Sequence, residues 1–182
     1  MKCYICKRNE GKLHPIYGYP LCRNCAKKLI FRKIGNNLRR LKIRKKEEIK
    51  VFIWESSLSN LALEYLKGVI EKWKPRPKII SVKNDPDVKI VPAEVLLVYL
   101  IASFYDKKYF NEFKYFFEKN ITWNVTEKEA EFVTGQYLIS FENEFLNDIF
   151  LKMKEVLDKK PSYYKTYINF LRFTYENNIF FL

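Results

Sequence analysis

Hydrophobic residues recur along this chain with two distinct periods. Val51-Phe52-Ile53-Trp54 is a short continuous apolar run of the kind that forms a buried parallel strand. Beyond the polar stretch Glu55-Ser56-Ser57-Leu58-Ser59-Asn60 the period becomes helical, with Leu61, Leu63, Leu66, Val69, Ile70 and Trp73 on the apolar side and Lys74-Pro75-Arg76-Pro77 ending it. Lys78-Ile79-Ile80-Ser81-Val82 predicts a second strand, and a strand, serine loop, helix, strand unit implies a right-handed crossover in a parallel α/β sheet. Asn84-Asp85-Pro86-Asp87 then turns the chain into a third short strand, Val88 to Val91. Pro92 and Glu94 open a helix whose run Val95 to Ala102 is apolar all round, which predicts a buried helix and is too short to span a bilayer.

The second half is helical and aromatic. Asp106 to Asn120 carries Tyr109, Phe110, Phe113, Tyr115, Phe116 and Phe117, more aromatic surface than one helical face buries. Residues 121–140 show no clear period; Phe132-Val133-Thr134 and Tyr137-Leu138-Ile139 around Gly135-Gln136 read as a hairpin or an irregular connection. The helical period returns at Phe145, Leu146, Ile149, Phe150, Met153, Val156 and Leu157, stops at Lys159-Lys160-Pro161, and resumes from Ser162 to Glu176 before the chain closes on Ile179-Phe180-Phe181-Leu182. The aromatic surplus leaves material for an interface with another protein.

At the other end, Leu29, Ile30, Ile34, Leu38 and Leu41 recur at helical steps between Ala26 and Lys46, with Gly35-Asn36-Asn37 predicting a bend or break. The remaining faces are crowded with Lys27, Lys28, Arg32, Lys33, Arg39, Arg40, Lys42, Arg44, Lys45 and Lys46. The formal charge is +13; residues 1–50 hold sixteen of the 34 Lys and Arg but only three of the 21 acids, so the whole excess lies there. Such a gradient is the electrostatic footprint of an anionic polymer, most often nucleic acid; the competing reading is a solvated basic face.

Cys3-Tyr4-Ile5-Cys6 and Cys22-Arg23-Asn24-Cys25 stand fifteen residues apart and contain all four cysteines of the chain. Two such pairs each form a knuckle that offers two sulfurs to one tetrahedral ion, the pattern of a closed structural zinc site. Disulfides, redox dithiols and a rubredoxin-like iron are the alternatives. His14, in the intervening loop, is read as a loop residue and not a ligand. No cysteine is left for a nucleophile or an iron–sulfur cluster elsewhere. No signal peptide precedes the motif, which together with reduced cysteines predicts a cytoplasmic protein.

The order of four-cysteine ribbon, basic helix, strand, serine-rich loop, helix and strand resembles the PP-loop tRNA 2-thiolation family, whose active members end the first strand in S-G-G-x-D-S to wrap the phosphates of ATP. Here the loop is Ser56-Ser57-Leu58-Ser59-Asn60, without either glycine or the aspartate. A phosphate cradle needs converging backbone N–H groups and the close approach that glycine permits, and Leu58 stands in the way. Val91-Pro92-Ala93-Glu94 through Tyr99 is similar to the family segment in which a glutamate-bearing turn opens a helix. The stretch from Phe145 to Asp148 through Lys159-Lys160-Pro161-Ser162-Tyr163-Tyr164-Lys165 is similar to its late helix and basic-Pro turn. The family's further cysteines and second zinc ribbon are missing, so the chain looks like the non-catalytic subunit of the thiolation complex.

The resemblance implies a zinc ribbon over residues 1–28, a basic amphipathic linker helix over 29–50, and a reduced, degenerate PP-loop parallel-sheet α/β domain, related to the adenine nucleotide α-hydrolases, over 51–182 with a helical C-terminal part. Its expected partners are tRNA, held by the ten basic residues named above with Arg23 beside the knuckle, and an active PP-loop subunit or a second copy of itself. Ser56, Ser57, Ser59 and Asn60 form the degenerate nucleotide loop, with helix capping as the serines' expected role. A free-standing RNA- or DNA-binding module is the alternative. A nucleotide hydrolase working through these serines with Glu55 or Asp85 is the remaining one, short of groups to position phosphates.

Overall fold

The computed structural model describes residues 1–44 and 46–177; Lys45 and the closing run from Ile179 to Leu182 lie outside the described residues. A small antiparallel pair, β1 (Lys12–Leu13) and β2 (Pro20–Leu21), precedes α1 (Arg23–Leu38). The central strand β3 (Glu48–Ile53) is followed by α2 (Ser57–Ile70), β4 (Lys78–Ser81) and β5 (Val88–Ile90), then α3 (Ala93–Ser103), α4 (Lys107–Phe117), α5 (Glu127–Thr134), α6 (Glu144–Lys159) and α7 (Ser162–Glu176). The sheet has the order β4-β3-β5 and is parallel throughout, as the strand–helix–strand unit predicted.

Alternation along β3 divides the molecule into two cores. Ile49, Val51 and Ile53 point to one face, where Ile30, Ile34 and Leu38 of α1 meet Leu58, Leu61, Ala62 and Leu66 of α2. Phe52 and Trp54 point to the other face, against a core to which α3, α4, α6 and α7 contribute. Trp54 touches Tyr99, Phe116 and Phe141 with ring centroids 6.1, 5.6 and 5.4 Å apart. All but two residues of α3 are buried, because four-sided packing suits a helix that is apolar all round. Much of the aromatic surplus is therefore absorbed internally.

Two expectations need correction. The helical element expected from Ala26 to Lys46 does break near Gly35-Asn36-Asn37, but these three residues stay inside the last turn of α1, which ends at Leu38. Tertiary contacts override the local signal: Asn37 is buried and its Nδ2 donates to Ile121 O (2.9 Å) and to Asn124 Oδ1 (2.8 Å). Gly35 lies under Tyr65, where a Cβ would come within 2.2 Å of the phenol oxygen. Second, Phe132-Val133-Thr134 is not part of a hairpin but ends the helix α5, which is closed by Gly135 in the left-handed region at φ 80°. Thr126 and Glu129 form a reciprocal capping box at its start. Ahead of it, Asn120 bridges Lys89 in parallel register and extends the β5 edge by one residue pair.

Leu96 is fully buried in α3, whereas Leu151 on α6 is 55 % exposed. Leu96→Ala should lower the unfolding free energy in a denaturant titration by about 2–5 kcal/mol, and Leu151→Ala should change it by less than about 0.5 kcal/mol.

Candidate functional site

The four cysteines come together as their spacing predicts. The Cys3 carbonyl accepts from Lys7 N–H (2.9 Å) and the Cys3 N–H donates to Arg8 O (2.7 Å), which curls the first knuckle; Lys7 takes φ 62° to close it. Gly11 lies where a Cβ would stand 2.8 Å from the Cys3 nitrogen, so the loop can pass behind the knuckle only with glycine there. The second knuckle is the start of α1, with Cys22 at its N-cap and Cys25 in its first turn. The four Sγ atoms lie within 4.8 Å of one another, and Cys6 and Cys22 are 3.7 Å apart. Tetrahedral thiolates at ~2.3 Å from one ion stand ~3.8 Å apart, so this set fits a single metal ion. As free thiols they are unequal: burial pushes Cys3 up, but backbone N–H groups of Cys6, Cys22 and Ile5 outweigh it and bring it down to about 6, while burial and neighbouring thiols push Cys25 up to about 12.

His14 stays out of this set. It is buried, stacks on Tyr17 at 4.4 Å, and its Nδ1 accepts from the Ile16 and Tyr17 N–H groups at 3.3 Å each. Burial lowers its pKa to about 4, so at neutral pH it is an uncharged ring with its proton on Nε2. Tyr17 passes the contact onward: its hydroxyl donates to Glu129 Oε1 (2.6 Å), a carboxylate that also accepts from Lys33 Nζ (2.8 Å). Burial alone would raise Glu129, but the charge and hydrogen bonds of Lys33 and Tyr17 hold it below the ordinary range.

The serine loop follows β3 and leads into α2. Ser56 is the N-cap, its Oγ accepting from Ser59 N–H (3.0 Å), while Ser59 Oγ donates to Trp54 O. Ser57 is buried and Asn60 exposed. Ser56 therefore caps, as expected of the serines, whereas Ser59 bonds back to the end of the strand and Ser57 caps nothing. The N-terminus of α2 does hold an anion, but it is the protein's own: Glu127 Oε1 accepts from Ser57 N–H (2.7 Å) and Oε2 from Leu58 N–H (2.9 Å). Oε1 also accepts from Leu138 N–H (3.0 Å). Glu127 begins α5, whose own N-terminus is met by Glu94 of α3, accepting from the N–H groups of Glu127 (2.9 Å) and Lys128 (3.2 Å). Two carboxylates thus cap two helix starts in series.

This relay fills the space outside the carboxyl ends of β3 and β5, the point at which the strand order reverses and open α/β sheets bind their ligands. Glu94 and Glu127 are essentially without exposure. Burial raises both carboxyls, Glu94 to about 8, and outweighs the backbone N–H groups, which favour the ionised form. Neither alternative acid for a hydrolase joins the serines: Glu55 is exposed, and Asp85 lies in the link between β4 and β5 beside Lys119 (3.8 Å). Glu127 and Glu129 were missed in the sequence, although Thr126-x-x-Glu129 is a legible capping box.

The basic residues separate into two groups. Arg23, Lys28, Arg32, Arg39, Arg40, Lys42 and Arg44 are exposed, and among the described residues none has an ion-pair partner. Lys27 pairs with Glu64 (2.7 Å), Lys46 with Asp87, and Lys33 is committed to Glu129. Lys33 is consequently a structural cation under the metal ribbon.

Fold and site together define an α/β protein with a four-cysteine metal site at its N-terminal end and no described helix long and apolar enough to cross a membrane. Its fold is shared with the U34-tRNA thiolase NcsA from Methanococcus maripaludis, solved with its [4Fe-4S] cluster: the TM-score is 0.60 over 100% of this chain and 88% of that one, at 13% identity. No protein-family model matches the chain. No curated protein matches it either.

Two outcomes follow from this geometry. The purified protein should carry one metal ion per chain by elemental analysis, and Cys6→Ser should lose it together with thermal stability. Glu94 has a folded pKa above its unfolded value, so the native state binds the extra proton and its contribution is fully present below about pH 4.5. That contribution declines by up to ~1.4 kcal/mol per pH unit as pH rises towards 8. Glu94→Gln should flatten this part of the stability profile in unfolding titrations at pH 5, 6.5 and 8.

Proposed function

We propose that the protein is a non-catalytic, zinc-bearing subunit or paralogue of the machinery that 2-thiolates the wobble uridine of tRNA. It binds tRNA through the exposed cations of its first fifty residues and pairs with an active PP-loop subunit. The observation that carries this reading is the Glu127 carboxylate on the N-terminus of α2. In a fold shared with a tRNA thiolase, the place where a strand–loop–helix unit would receive phosphate is taken by an internal carboxylate, and Leu58 replaces the small residue that close approach requires. A nucleotide would have to expel a buried carboxylate hydrogen-bonded to three backbone N–H groups.

Zinc is the ion of this reading because four thiolates within 4.8 Å suit one borderline-soft ion, whereas a multi-iron cluster holds its cysteines further apart. The tRNA contact rests on charge: among the described residues, seven exposed cations without acidic partners stand on or just beyond α1, whose first turn is the second knuckle. The protein partner rests on apolar surface. Phe104 and Tyr105 are 82 % and 74 % exposed, next to an open groove of about 470 Å³ between α3, α6 and α7 that Phe145, Ile149 and Val156 help to line. The groove's chemistry fits the aromatic-rich face of a second subunit.

Titration with fluorescent tRNA at two salt concentrations tests the reading. Combined replacement of Arg23, Lys28 and Arg32 by Ala should weaken binding and lower the salt slope by about three units, roughly one per lost phosphate contact. Addition of an active thiolation subunit should raise the affinity, and Mg-ATP should give no heat in calorimetry. Binding and turnover of ATP by the chain alone would refute the non-catalytic assignment. Full affinity without any partner would support the free-standing module instead.

A further inference from the structure

Beyond the phosphate-binding face, the end of α1 carries a second feature of different chemistry. After Leu38 the backbone winds through short turns, with the N–H groups of Arg40 and Leu41 donating to Asn37 O and Leu38 O, and that of Lys46 to Ile43 O. This leaves an open pocket of about 420 Å³ between the turn segment and the second half of α2. Tyr65 and Trp73 line it with aromatic surface, Leu38 and Val69 with aliphatic surface, and Arg39 and Arg44 with charge. Its size falls within the range of ~300–1,000 Å³ usual for small-ligand sites.

Three observations say what this pocket is built to take. Among the described residues, the Tyr65 hydroxyl, the Trp73 indole N–H and both guanidinium groups have no hydrogen-bond or ion-pair partner. Elsewhere in the same half of the chain, cations that serve the fold are matched with acids, as Lys27, Lys33 and Lys46 are. Gly35 is the residue that lets the Tyr65 ring lie down across α1, since any Cβ there would displace it. Finally, Lys28, Arg32, Gly35 and Arg39 follow one another at steps of three and four residues and so share one face of α1. A cationic track of about 16 Å therefore runs from the metal end of the helix to the mouth of the pocket.

We propose that this pocket holds one unstacked nucleotide of a single-stranded RNA segment, with its base against Tyr65 or Trp73 and its phosphate between Arg39 and Arg44. The chemistry is that of single-strand recognition, in which a base laid on an aromatic face supplies affinity that is insensitive to salt and a guanidinium supplies affinity that is not. The proposal rests on the RNA-binding reading and deepens it: the α1 face would track the backbone, and the pocket would select loops or ends over duplex. A duplex cannot present an isolated base to a pocket of this kind.

The test uses the full chain with its metal and three probes: a twelve-nucleotide oligouridylate, the same strand with abasic sites, and a twelve-base-pair RNA duplex. Fluorescence anisotropy should show oligouridylate bound more tightly than the abasic strand. Trp73→Ala and Tyr65→Ala should each weaken oligouridylate binding roughly 5- to 100-fold without changing its salt slope. Arg39→Ala with Arg44→Ala should lower that slope by roughly 1.4 units. Trp73→Phe should restore most of the affinity, and unchanged metal content and melting temperature in the variants separate lost stacking from lost folding. Equal binding of the oligouridylate and abasic strands, or aromatic variants as tight as the wild type, would overturn the pocket while leaving α1-dependent duplex or tRNA binding intact. Failure of every probe and of tRNA to bind would overturn both the pocket and the RNA-binding reading.

Discussion

Everything at the carboxyl end of the sheet depends on one contact, the Glu127 carboxylate seated on the first N–H groups of α2. A helix start leaves four N–H donors without partners and concentrates partial positive charge there, so an anion at this position is stabilising whatever its source. In an open α/β sheet the same feature is what makes the crevice at the strand reversal a binding site. Here the anion is covalently part of α5, and its binding therefore positions α5 against both α1 and α2. The contact makes this end of the sheet a joint of the core.

The joint is reinforced from behind. Glu94 does for α5 what Glu127 does for α2, so α3, α5 and α2 are linked in series by carboxylates on helix N-termini. Burial of two acids is costly, and their raised pKa values express that cost. The cost is tolerable because each carboxylate satisfies N–H groups that would otherwise be buried without partners. A third buried acid, Glu129, differs because Lys33 and Tyr17 face it, and it remains ionised with its charge balanced. Through Tyr17 that balanced pair reaches the loop between the two cysteine knuckles. The metal ribbon is thereby fastened to the α/β core by a tyrosine, a lysine and a glutamate instead of by a flexible tether.

The difference between what was legible in the sequence and what was not follows the range of the interactions. The cysteine knuckles, the β3–α2–β4 unit and the last helix from Ser162 to Glu176 are dictated by local spacing and period, and their elements lie where the pattern places them. Residues 121–140 defeated the same approach because their structure is set at a distance. Asn120 and Thr122 bond the backbone of Val91, and α5 is anchored at its start by Glu94 and by the first N–H groups of α2, thirty or more positions away in the chain. The break expected at Gly35-Asn36-Asn37 falls just beyond them, after Leu38, for a related reason. A glycine that weakens an isolated helix is here the condition for Tyr65 to approach it, and an asparagine that competes with helix backbone in solution spends its amide on Ile121 and Asn124. The basic residues of α1 looked alike in the sequence because charge carries no information about partners. Glu129, brought in by α5, together with Asn124 and Tyr17, distinguishes Lys33 from Lys28 and Arg32.

That division of the cations connects the closed crevice to the open surface. The helix α5 that places Glu127 on the start of α2 also brings Glu129 to the ribbon, so one segment fixes both the carboxyl end of the sheet and the four-cysteine end. The orientation of α1 is then determined at both of its ends, by the knuckle at Cys22 and Cys25 and by Asn37 on the 121–124 segment. A helix held in this way presents its remaining cations as a rigid track, and preorganised cations lose less conformational entropy on meeting a polyanion than the same residues on a mobile arm. Joining the carboxyl end of the sheet and stiffening a cationic face are, in this fold, consequences of the same short helix.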